Sequence, residues 1–472
     1  MNRKLFSEIF IYTLPTILSR GMAFFMLPIY TRILSTTDYG MLDLVLVLGN
    51  LVNLTISLEI NQGLARFYSD EKDTSKQNIY VASAFWFSTV CYTFFLIIGL
   101  YFSQSILTSF FQANGSVLIV RLGLIYIYFN GLVYFLQSQL RWEFRSKQYA
   151  ILSTLVSLLI SVGSIIFGYF LKLHLLGVLI SMLLAHLLGY VYGISILRKS
   201  ISFHMNFERL REMLRFSIPL VPAGLSIFVS TYIDRMMLNH FLSLNEVGLY
   251  SFGFRLASAV SLITIGFQRA LTPLIYSHYT DESTSQKLAF IFRLFVAISL
   301  LLWLSISIFS QEILWIVTSP QYYPASKIIL FLVPSVLFSG MYIFAPGISL
   351  AKKNHFIFWI NFLGAILNTL LNWLFIPKFG FVGAAVATLL GTLFVFCAYI
   401  ILSQRFYYIP YNWNLIGVST ISISIGCFLG YLINFEIGLN IFLKSFTILF
   451  YALFLLSIKL VSVDEIQRFV DS

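Results

Sequence analysis

Residues 35–40 read STTDYG and residues 243–248 read SLNEVG, and the two stretches lie 208 positions apart in a chain of 472 residues. Both follow the pattern Ser-x-x-acid-x-Gly. A serine with an acidic residue three positions later predicts a capping box, which satisfies the first free N–H groups of a helix. The glycine permits close packing of two backbones. The same kind of helix start therefore occurs twice, nearly half a chain apart.

The composition places the chain in a lipid environment. Hydrophobic residues make up 59% of it and charged residues only 10%, and the mean hydropathy is +0.87. Soluble domains carry about 25% charged residues. The three cysteines, Cys91, Cys397 and Cys427, have no metal-ligand spacing and suggest no disulfide framework, so we expect them to pack in apolar surroundings.

Hydropathy predicts an all-α integral membrane protein with about fourteen transmembrane helices, because a span needs about 20 apolar residues. The basic N-terminus and its apolar run through Tyr30 lack a small-residue cleavage site, so we interpret them as an uncleaved first span. The predicted spans are 9–32, 41–63, 79–101, 117–139, 150–171, 174–196, 214–239, 248–275, 288–310, 327–350, 356–376, 381–402, 414–433 and 439–460.

Basic residues fix the predicted orientation. With the N-terminus in the cytoplasm, the inward segments hold 20 Lys and Arg residues and the outward side holds five. This asymmetry follows the positive-inside rule and places both termini in the cytoplasm. It also assigns the net charge of +11 to topology and anionic lipids, with no nucleic-acid partner. The five outward residues are Arg32, Lys172, Lys327, Lys378 and Lys444.

Further pairs of segments repeat at nearly the same offset. They are FYSD (67–70) with IYSH (275–278), Pro15 with Pro222, and KLHLLG (172–177) with KFGFVG (378–383). We therefore predict two copies of one six-helix unit in the same orientation. Such paired bundles are typical of alternating-access transporters.

The repeat divides the chain into four parts. We expect an N-terminal six-helix bundle at 1–197, a cytoplasmic linker at 198–213, a C-terminal six-helix bundle at 214–404, and two additional transmembrane helices at 405–472. Charged residues in the linker, among them Glu208 and Arg209, suggest an amphipathic helix. A passive tether is the alternative interpretation.

Ionised side chains inside spans point to function, because they are costly in the membrane. Arginines outnumber acidic residues six to three in the set Arg20, Asp43, Glu59, Arg66, Arg121, Asp234, Arg235, Arg255 and Arg269. Guanidinium groups bind phosphate oxygens in pairs, so this excess favours a pyrophosphate over a cationic substrate. Arg20 and Arg255 are the main candidates for substrate binding, with Arg66 and Arg269 near the entry side. Asp43 and Arg32 flank one outer turn, and we expect them to pair.

Three segments carry a family resemblance. LSTTDYG (34–40), IDRMMLNHFLSLNEVGLYSFGFRLAS (233–258) and LNTLLNWLFIPKFGFVGAAVAT (367–388), together with a 6+6+2 arrangement of spans, resemble bacterial polysaccharide-unit flippases of the O-antigen type. These belong to the multidrug/oligosaccharidyl-lipid/polysaccharide exporter superfamily. The resemblance covers the whole chain.

The resemblance implies a function. The expected substrate is an oligosaccharide repeat unit on undecaprenyl pyrophosphate, moved across the bacterial cytoplasmic (inner) membrane for O-antigen, capsule or related lipopolysaccharide synthesis. Polymerase and chain-length proteins are the implied partners, beside membrane lipids. No nucleotide-binding motif or catalytic arrangement is present, so we expect neither an enzyme nor an organic cofactor. A multidrug or small-solute exporter and a lipid-linked peptidoglycan-precursor flippase are the alternatives.

A cation-coupling site is a further hypothesis. Asp234, Asn368, Asn372 and Thr388 are predicted at one depth, and their oxygens suit an alkali cation. The resemblance supports this, since related peptidoglycan-precursor flippases have a sodium site at similar positions, although there the position of Asn372 is acidic. Two alternatives remain open. Asp234 forms a salt bridge with Arg255, or it couples transport to protons.

Overall fold

The computed structural model describes residues 21–22, 24–113, 115–203, 205–432, 437–458 and 460. This described part is built of helices and contains no β-strand, which confirms the predicted all-α membrane class. By internal contacts the chain forms two compact units, Met1–Ser251 and Phe252–Ser472.

The helices of the first unit, up to and including the start of α11, differ widely in length. They are α1 (Phe24–Ile33), α2 (Thr36–Thr55), α3 (Ile60–Asp70), α4 (Thr74–Tyr101), α5 (Ser103–Ser109), α6 (Val117–Trp142), α7 (Ser146–Gly163), α8 (His174–Leu197), α9 (Phe207–Ser217), α10 (Val221–Phe241) and α11 (Leu244–Ala257).

Eight further helices belong to the second unit. They are α12 (Ser261–His278), α13 (Glu282–Ile308), α14 (Ser310–Val317), α15 (Ser326–Gly340), α16 (Gly347–Leu350), α17 (His355–Phe406), α18 (Trp413–Leu432) and α19 (Ile437–Ser457).

The predicted count of fourteen spans is not confirmed. The described residues contain 11 helices that are long and apolar enough to cross a membrane, or 12 with one bent pair. One of them, α17, has 52 residues and would be about 78 Å long at 1.5 Å per residue, far more than a bilayer needs. Gly380 interrupts it with a φ of 63°, so α17 holds the two spans predicted on either side of that glycine.

The bent pair corrects the second predicted span. A continuous helix over 41–63 was expected, but α2 ends at Thr55 and α3 begins at Ile60 with a bend of 46°. Leu58 and Glu59 adopt left-handed conformations, with φ of 51° and 53°. Such conformations are uncommon for residues with a Cβ and break a right-handed helix. Hydropathy does not report them, because the segment remains apolar.

The predicted linker helix is present and is packed rather than free. Helix α9 buries Leu210 and Met213 in the core that α3, α4, α6, α7 and α8 form. A Cβ at Gly63 of α3 would lie 2.7 Å from the Met213 carbonyl oxygen, so the two helices cross at a glycine. On the polar face, Arg209 pairs with Glu212 at 3.1 Å. The segment is therefore part of the first unit and not a loose tether.

A buried ion pair in the second unit joins α19 to α14. Lys444 Nζ lies 2.6 Å from Glu312 Oε1, and Asn440 Nδ2 donates to the same oxygen at 3.1 Å. Lys444 is only 2% exposed, whereas a lysine of an outward segment would usually be in contact with water. The carboxylate explains how a lysine is tolerated inside this apolar helix.

Candidate functional site

The first quoted hexapeptide forms the helix start that the sequence predicts. Ser35 precedes α2, its hydroxyl oxygen accepts from the Asp38 N–H at 3.1 Å, and the Ser35 N–H donates to Asp38 Oδ2 at 3.2 Å. These reciprocal bonds confirm the capping box. The first turn of α2 is thereby fixed.

The second hexapeptide also precedes a helix, but without the reciprocal bonds. Helix α11 begins at Leu244, directly after Ser243. Within the described residues, the buried Glu246 Oε2 has no hydrogen-bond partner. The capping box predicted here is therefore wrong, although the predicted helix start is correct.

The two hexapeptides pack against each other. A Cβ at Gly40 would overlap the Leu244 carbonyl oxygen, and a Cβ at Gly248 would overlap the Thr36 carbonyl oxygen. The Thr36 hydroxyl also donates to the amide oxygen of Asn245. Both glycines are needed because the backbones of α2 and α11 touch here. The contact is reciprocal, as in a two-fold symmetric interface.

One turn further along these helices lies a buried group of charges. The Arg235 guanidinium, on α10, contacts Asp43 Oδ2 of α2 at 3.2 Å through Nε and Asp234 Oδ1 at 2.8 Å through Nη1. Arg235 is 4% exposed. The single guanidinium group of Arg235 thus neutralises two carboxylates that come from two helices.

Neutral side chains complete the group. Ser251 donates to Asp43 Oδ2 at 2.6 Å, and the Tyr250 hydroxyl donates to Asp234 Oδ2. The rings of Tyr232 and Tyr250 each have their centroid 5.5 Å from the guanidinium carbon, at the distance of a cation–π contact. We call Asp43, Asp234, Arg235, Tyr250 and Ser251 the Arg235 cluster.

The cluster ties α2 to α10 and α11 through a charge network closed to solvent. Removing one partner of such a buried pair costs about 3–5 kcal/mol, because the remaining charge is left without compensation. Because a partly broken network would leave a buried charge uncompensated, the arrangement suits a contact whose ion pairs all form or all break together. It also corrects the expected Asp43–Arg32 pair, since Arg32 is exposed and donates to the Pro28 carbonyl oxygen at 3.3 Å.

The arginines predicted to bind substrate lie in different surroundings. Arg20 lies outside the described residues. Arg255, near the end of α11, is half-buried, whereas Arg269 on α12 is exposed. The Arg66 side chain on α3 is 61% exposed and pairs with Asp70 at 3.3 Å.

The predicted cation ligands fall in both units. Asp234 belongs to the first, where Arg235 and Tyr250 bind its carboxylate oxygens. In the second unit, Asn372 Nδ2 donates to Asn368 Oδ1 at 3.0 Å, and Thr388 donates to the Ala384 carbonyl oxygen at 2.9 Å. The salt bridge that the structure gives Asp234 therefore involves the neighbouring Arg235, where the sequence suggested Arg255.

Sequence reasoning noted Arg235 but assigned it no partner, and it did not select Tyr250 or Ser251. One signal was available. Asp43 and Ser251 are 208 positions apart, the offset of the two hexapeptides. Extending the alignment of the two hexapeptides by one helical turn past the glycines aligns Asp43 with Ser251, and it would have marked them as equivalent positions.

Comparison with known proteins identifies the family and the fold. Residues 5–278 match the family described as "Polysaccharide biosynthesis protein", and residues 219–374 match the MatE family. Among solved structures, "Lipid II flippase MurJ, inward closed conformation" matches with a TM-score of 0.72 and 15% identity, covering 93% of this chain and 97% of that one. A multidrug resistance MATE family transporter of the MOP superfamily matches with a TM-score of 0.64 and 15% identity, covering 84% and 97%.

Two relatives have descriptive names. The chain is 24% identical to "Lsg locus putative protein 1" of Haemophilus influenzae over 77% of this chain and 89% of that protein. It is 25% identical to "Probable low-salt glycan biosynthesis flippase Agl15" of Haloferax volcanii over 58% of each. The superfamily resemblance deduced from the sequence is confirmed. Because the first family match spans more than half of the sequence, the chain belongs to the polysaccharide biosynthesis protein family.

Proposed function

We propose that this protein is a flippase that moves undecaprenyl-pyrophosphate-linked oligosaccharide repeat units from the cytoplasmic to the outer leaflet. The family match to polysaccharide biosynthesis proteins carries the proposal. The likeness to a relative named as a glycan biosynthesis flippase supports it. The polymer made from these units is a surface polysaccharide, O-antigen or capsule.

Transport by alternating access requires a contact that seals one side of the membrane and then breaks. The Arg235 cluster and the Gly40–Gly248 crossing fit this role, because they join the equivalent helix starts of the two sequence repeats. In the proposed cycle the predicted bundles at 1–197 and 214–404 rock against each other, and the cluster forms the outer seal while substrate enters from the cytoplasm. Its polar groups gain water when it opens, which offsets the loss of the ion pairs.

Substrate binding is assigned to arginines. Arg20 and Arg255 are proposed to bind the pyrophosphate, with Arg66 and Arg269 capturing the headgroup at entry. The exposure of Arg66 and Arg269 agrees with an entry role, because a side chain must be reachable to meet a substrate. The protein would act in the bacterial cytoplasmic membrane with both termini inside, beside polymerase and chain-length proteins.

Coupling through Asp234, Asn368, Asn372 and Thr388 remains a proposal. The bonds of Asp234 to Arg235 and Tyr250 favour a structural role, because both carboxylate oxygens have partners. Sodium and proton coupling are the competing hypotheses.

Two other functions are favoured by specific observations. The MatE match over 219–374 favours a multidrug or small-solute exporter, and the fold shared with a lipid II flippase favours a peptidoglycan-precursor substrate. The excess of arginine over acid in the predicted spans favours an anionic lipid over a cationic drug.

A deletion strain distinguishes these functions. We expect loss of the surface polymer together with accumulation of lipid-linked repeat units on the inner leaflet. Normal polymer with increased dye sensitivity would instead identify a drug exporter. Arrested peptidoglycan synthesis with normal polymer would identify a peptidoglycan-precursor flippase.

A further inference from the structure

A polar cavity of about 290 Å³ lies within the first unit, apart from the Arg235 cluster. It is bounded by α2, the break between α2 and α3, α6 and α8. Its polar lining consists of Asn50, Asn53, Glu59, Asn130, Gln137 and His186. Six polar side chains around one space inside a membrane protein are costly unless they bind something polar.

Four of these six side chains are engaged in hydrogen bonds, and the first of them, the Asn50 amide, donates to the Tyr232 hydroxyl at 3.2 Å. The Asn53 amide donates to Asn130 Oδ1 at 2.9 Å, and the Tyr92 hydroxyl donates to Asn53 Oδ1 at 3.0 Å. The Asn130 amide contacts His186 Nε2 at 3.2 Å, while His186 Nδ1 lies 2.8 Å from the Met182 carbonyl oxygen. These bonds hold the cavity wall in place and occupy the oxygens of Asn53 and Asn130.

Three other side chains on the wall keep their hydrogen-bonding capacity. In the described part of the chain, the side chains of Glu59, Gln137 and Tyr134 make no hydrogen bond to protein. Tyr134 also lines the cavity and is 42% exposed. Glu59 is held here by the left-handed backbone of the helix break, and strained residues of this kind are often retained for function.

The free groups select the class of ligand. A phosphate is disfavoured, because the Glu59 carboxylate repels an anion. An alkali cation would bind less well, because two of the possible oxygen ligands, the amide oxygens of Asn53 and Asn130, already accept hydrogen bonds. A hydroxyl-rich, uncharged ligand fits, since its O–H groups donate to the carboxylate and exchange hydrogen bonds with the amide of Gln137. An exposed tyrosine ring adds an apolar face.

We propose that this cavity is a subsite for one sugar residue of the transported unit, recognised by Glu59, Gln137 and Tyr134. The proposal rests on the proposed flippase function. The volume lies near the lower end of the range for ligand pockets, about 300–1,000 Å³, and so suits one ring rather than a whole repeat unit. The subsite binds the sugar, while the predicted arginines bind the pyrophosphate.

The test measures binding of two probes to purified full-length protein. One probe is the lipid-linked repeat unit extracted from the producing strain, and the other is undecaprenyl pyrophosphate without sugar. Glu59→Gln and Gln137→Leu should each weaken binding of the glycosylated lipid about tenfold and leave binding of the bare lipid unchanged. A tenfold change corresponds to about 1.4 kcal/mol, comparable with the loss of one or two hydrogen bonds.

Gln104→Leu is the matched control, because Gln104 is an exposed glutamine of α5 that does not line the cavity. Equal thermal unfolding temperatures would show that the variants fold. Wild-type affinity of both variants for both probes, or equal weakening for both probes, would overturn the sugar subsite. A loss of Na⁺ dependence in Glu59→Gln with unchanged sugar preference would also overturn it, in favour of a cation site. If the wild type binds neither probe, the proposed flippase function itself fails.

Discussion

Ser251 donates a hydrogen bond of 2.6 Å to Asp43, and the two residues are separated by 208 positions, the offset that relates the two copies of the Ser-x-x-acid-x-Gly sequence. Equivalent positions of the repeat therefore meet each other. The same holds for Gly40 and Gly248, each of which faces the first residue of the opposite helix, Leu244 or Thr36. A local pseudo-two-fold axis between α2 and α11 accounts for both pairs.

Replacing Gly248 by alanine should disturb this crossing. The added Cβ would overlap the Thr36 carbonyl oxygen, which is backbone and cannot swing away. We expect a loss of about 1–3 kcal/mol in the free energy of unfolding, as for other overpacked sites. Thermal unfolding of the purified protein measures this. Gly266→Ala is the control, since nothing lies within 4 Å of a Cβ there. Equal unfolding temperatures for both variants would contradict the close contact.

Removing the Arg235 charge should leave two buried carboxylates without a cation. We expect Arg235→Gln to cost about 3–5 kcal/mol of stability. Adding Asp43→Asn should recover part of the loss, because one of the two uncompensated charges then disappears. A double-mutant cycle from unfolding measurements gives the coupling, and about 0.5–3 kcal/mol is expected for residues in contact. Strict additivity of the two substitutions would argue against the ion pair.

The proposed roles of the arginines predict that their substitutions reduce polymer export to different extents. Arg20→Ala and Arg255→Ala should abolish surface polymer with the protein still present in the membrane. Lysine at either position should restore export only in part if paired hydrogen bonds to phosphate are needed. Arg66→Ala should have a smaller effect, because its partner Asp70 and its exposure indicate a weak surface pair. Normal polymer in both Arg20→Ala and Arg255→Ala would remove these residues from the substrate path.

Asp234 should behave as a structural carboxylate. Both of its oxygens have protein partners, so Asp234→Asn should lower the unfolding temperature and leave any ion dependence of transport unchanged. Flux in membrane vesicles under separately imposed Na⁺ and pH gradients measures that dependence. A stable Asp234→Asn protein whose flux no longer follows one gradient would instead assign Asp234 to coupling with that ion.

A disulfide across the helix starts should stop transport. Thr36 and Asn245 are hydrogen-bonded where the two helix starts meet, so this pair of positions is chosen for the two cysteines. The native cysteines Cys91, Cys397 and Cys427 are free and would first be replaced. Oxidation should block export and a reductant should restore it. Full transport by the cross-linked protein would rule out opening at this contact.

Local signals in the sequence were sufficient for much of the fold. Hydropathy over 20 residues located the apolar helices, since each must satisfy its own backbone in lipid. The repeated hexapeptides marked the starts of α2 and α11. Charge statistics did not reveal that Lys444 is buried in an ion pair, because its neutralising partner Glu312 lies 132 residues away along the chain.

The sequence by itself determined that this is a helical membrane protein with a duplicated unit, because helix periodicity, hydropathy and repetition are properties of short segments. Only the tertiary structure decided that Asp43 pairs with Arg235 rather than Arg32, that the helix breaks before Glu59, and that side chains of α2, α6 and α8 enclose a polar cavity. Those features depend on which helix faces meet and on backbone angles at a few residues. The Asp43–Arg235 pair and the expected Asp43–Arg32 pair differ in energy because they differ in burial and geometry. Neither burial nor geometry can be deduced from the order of the residues.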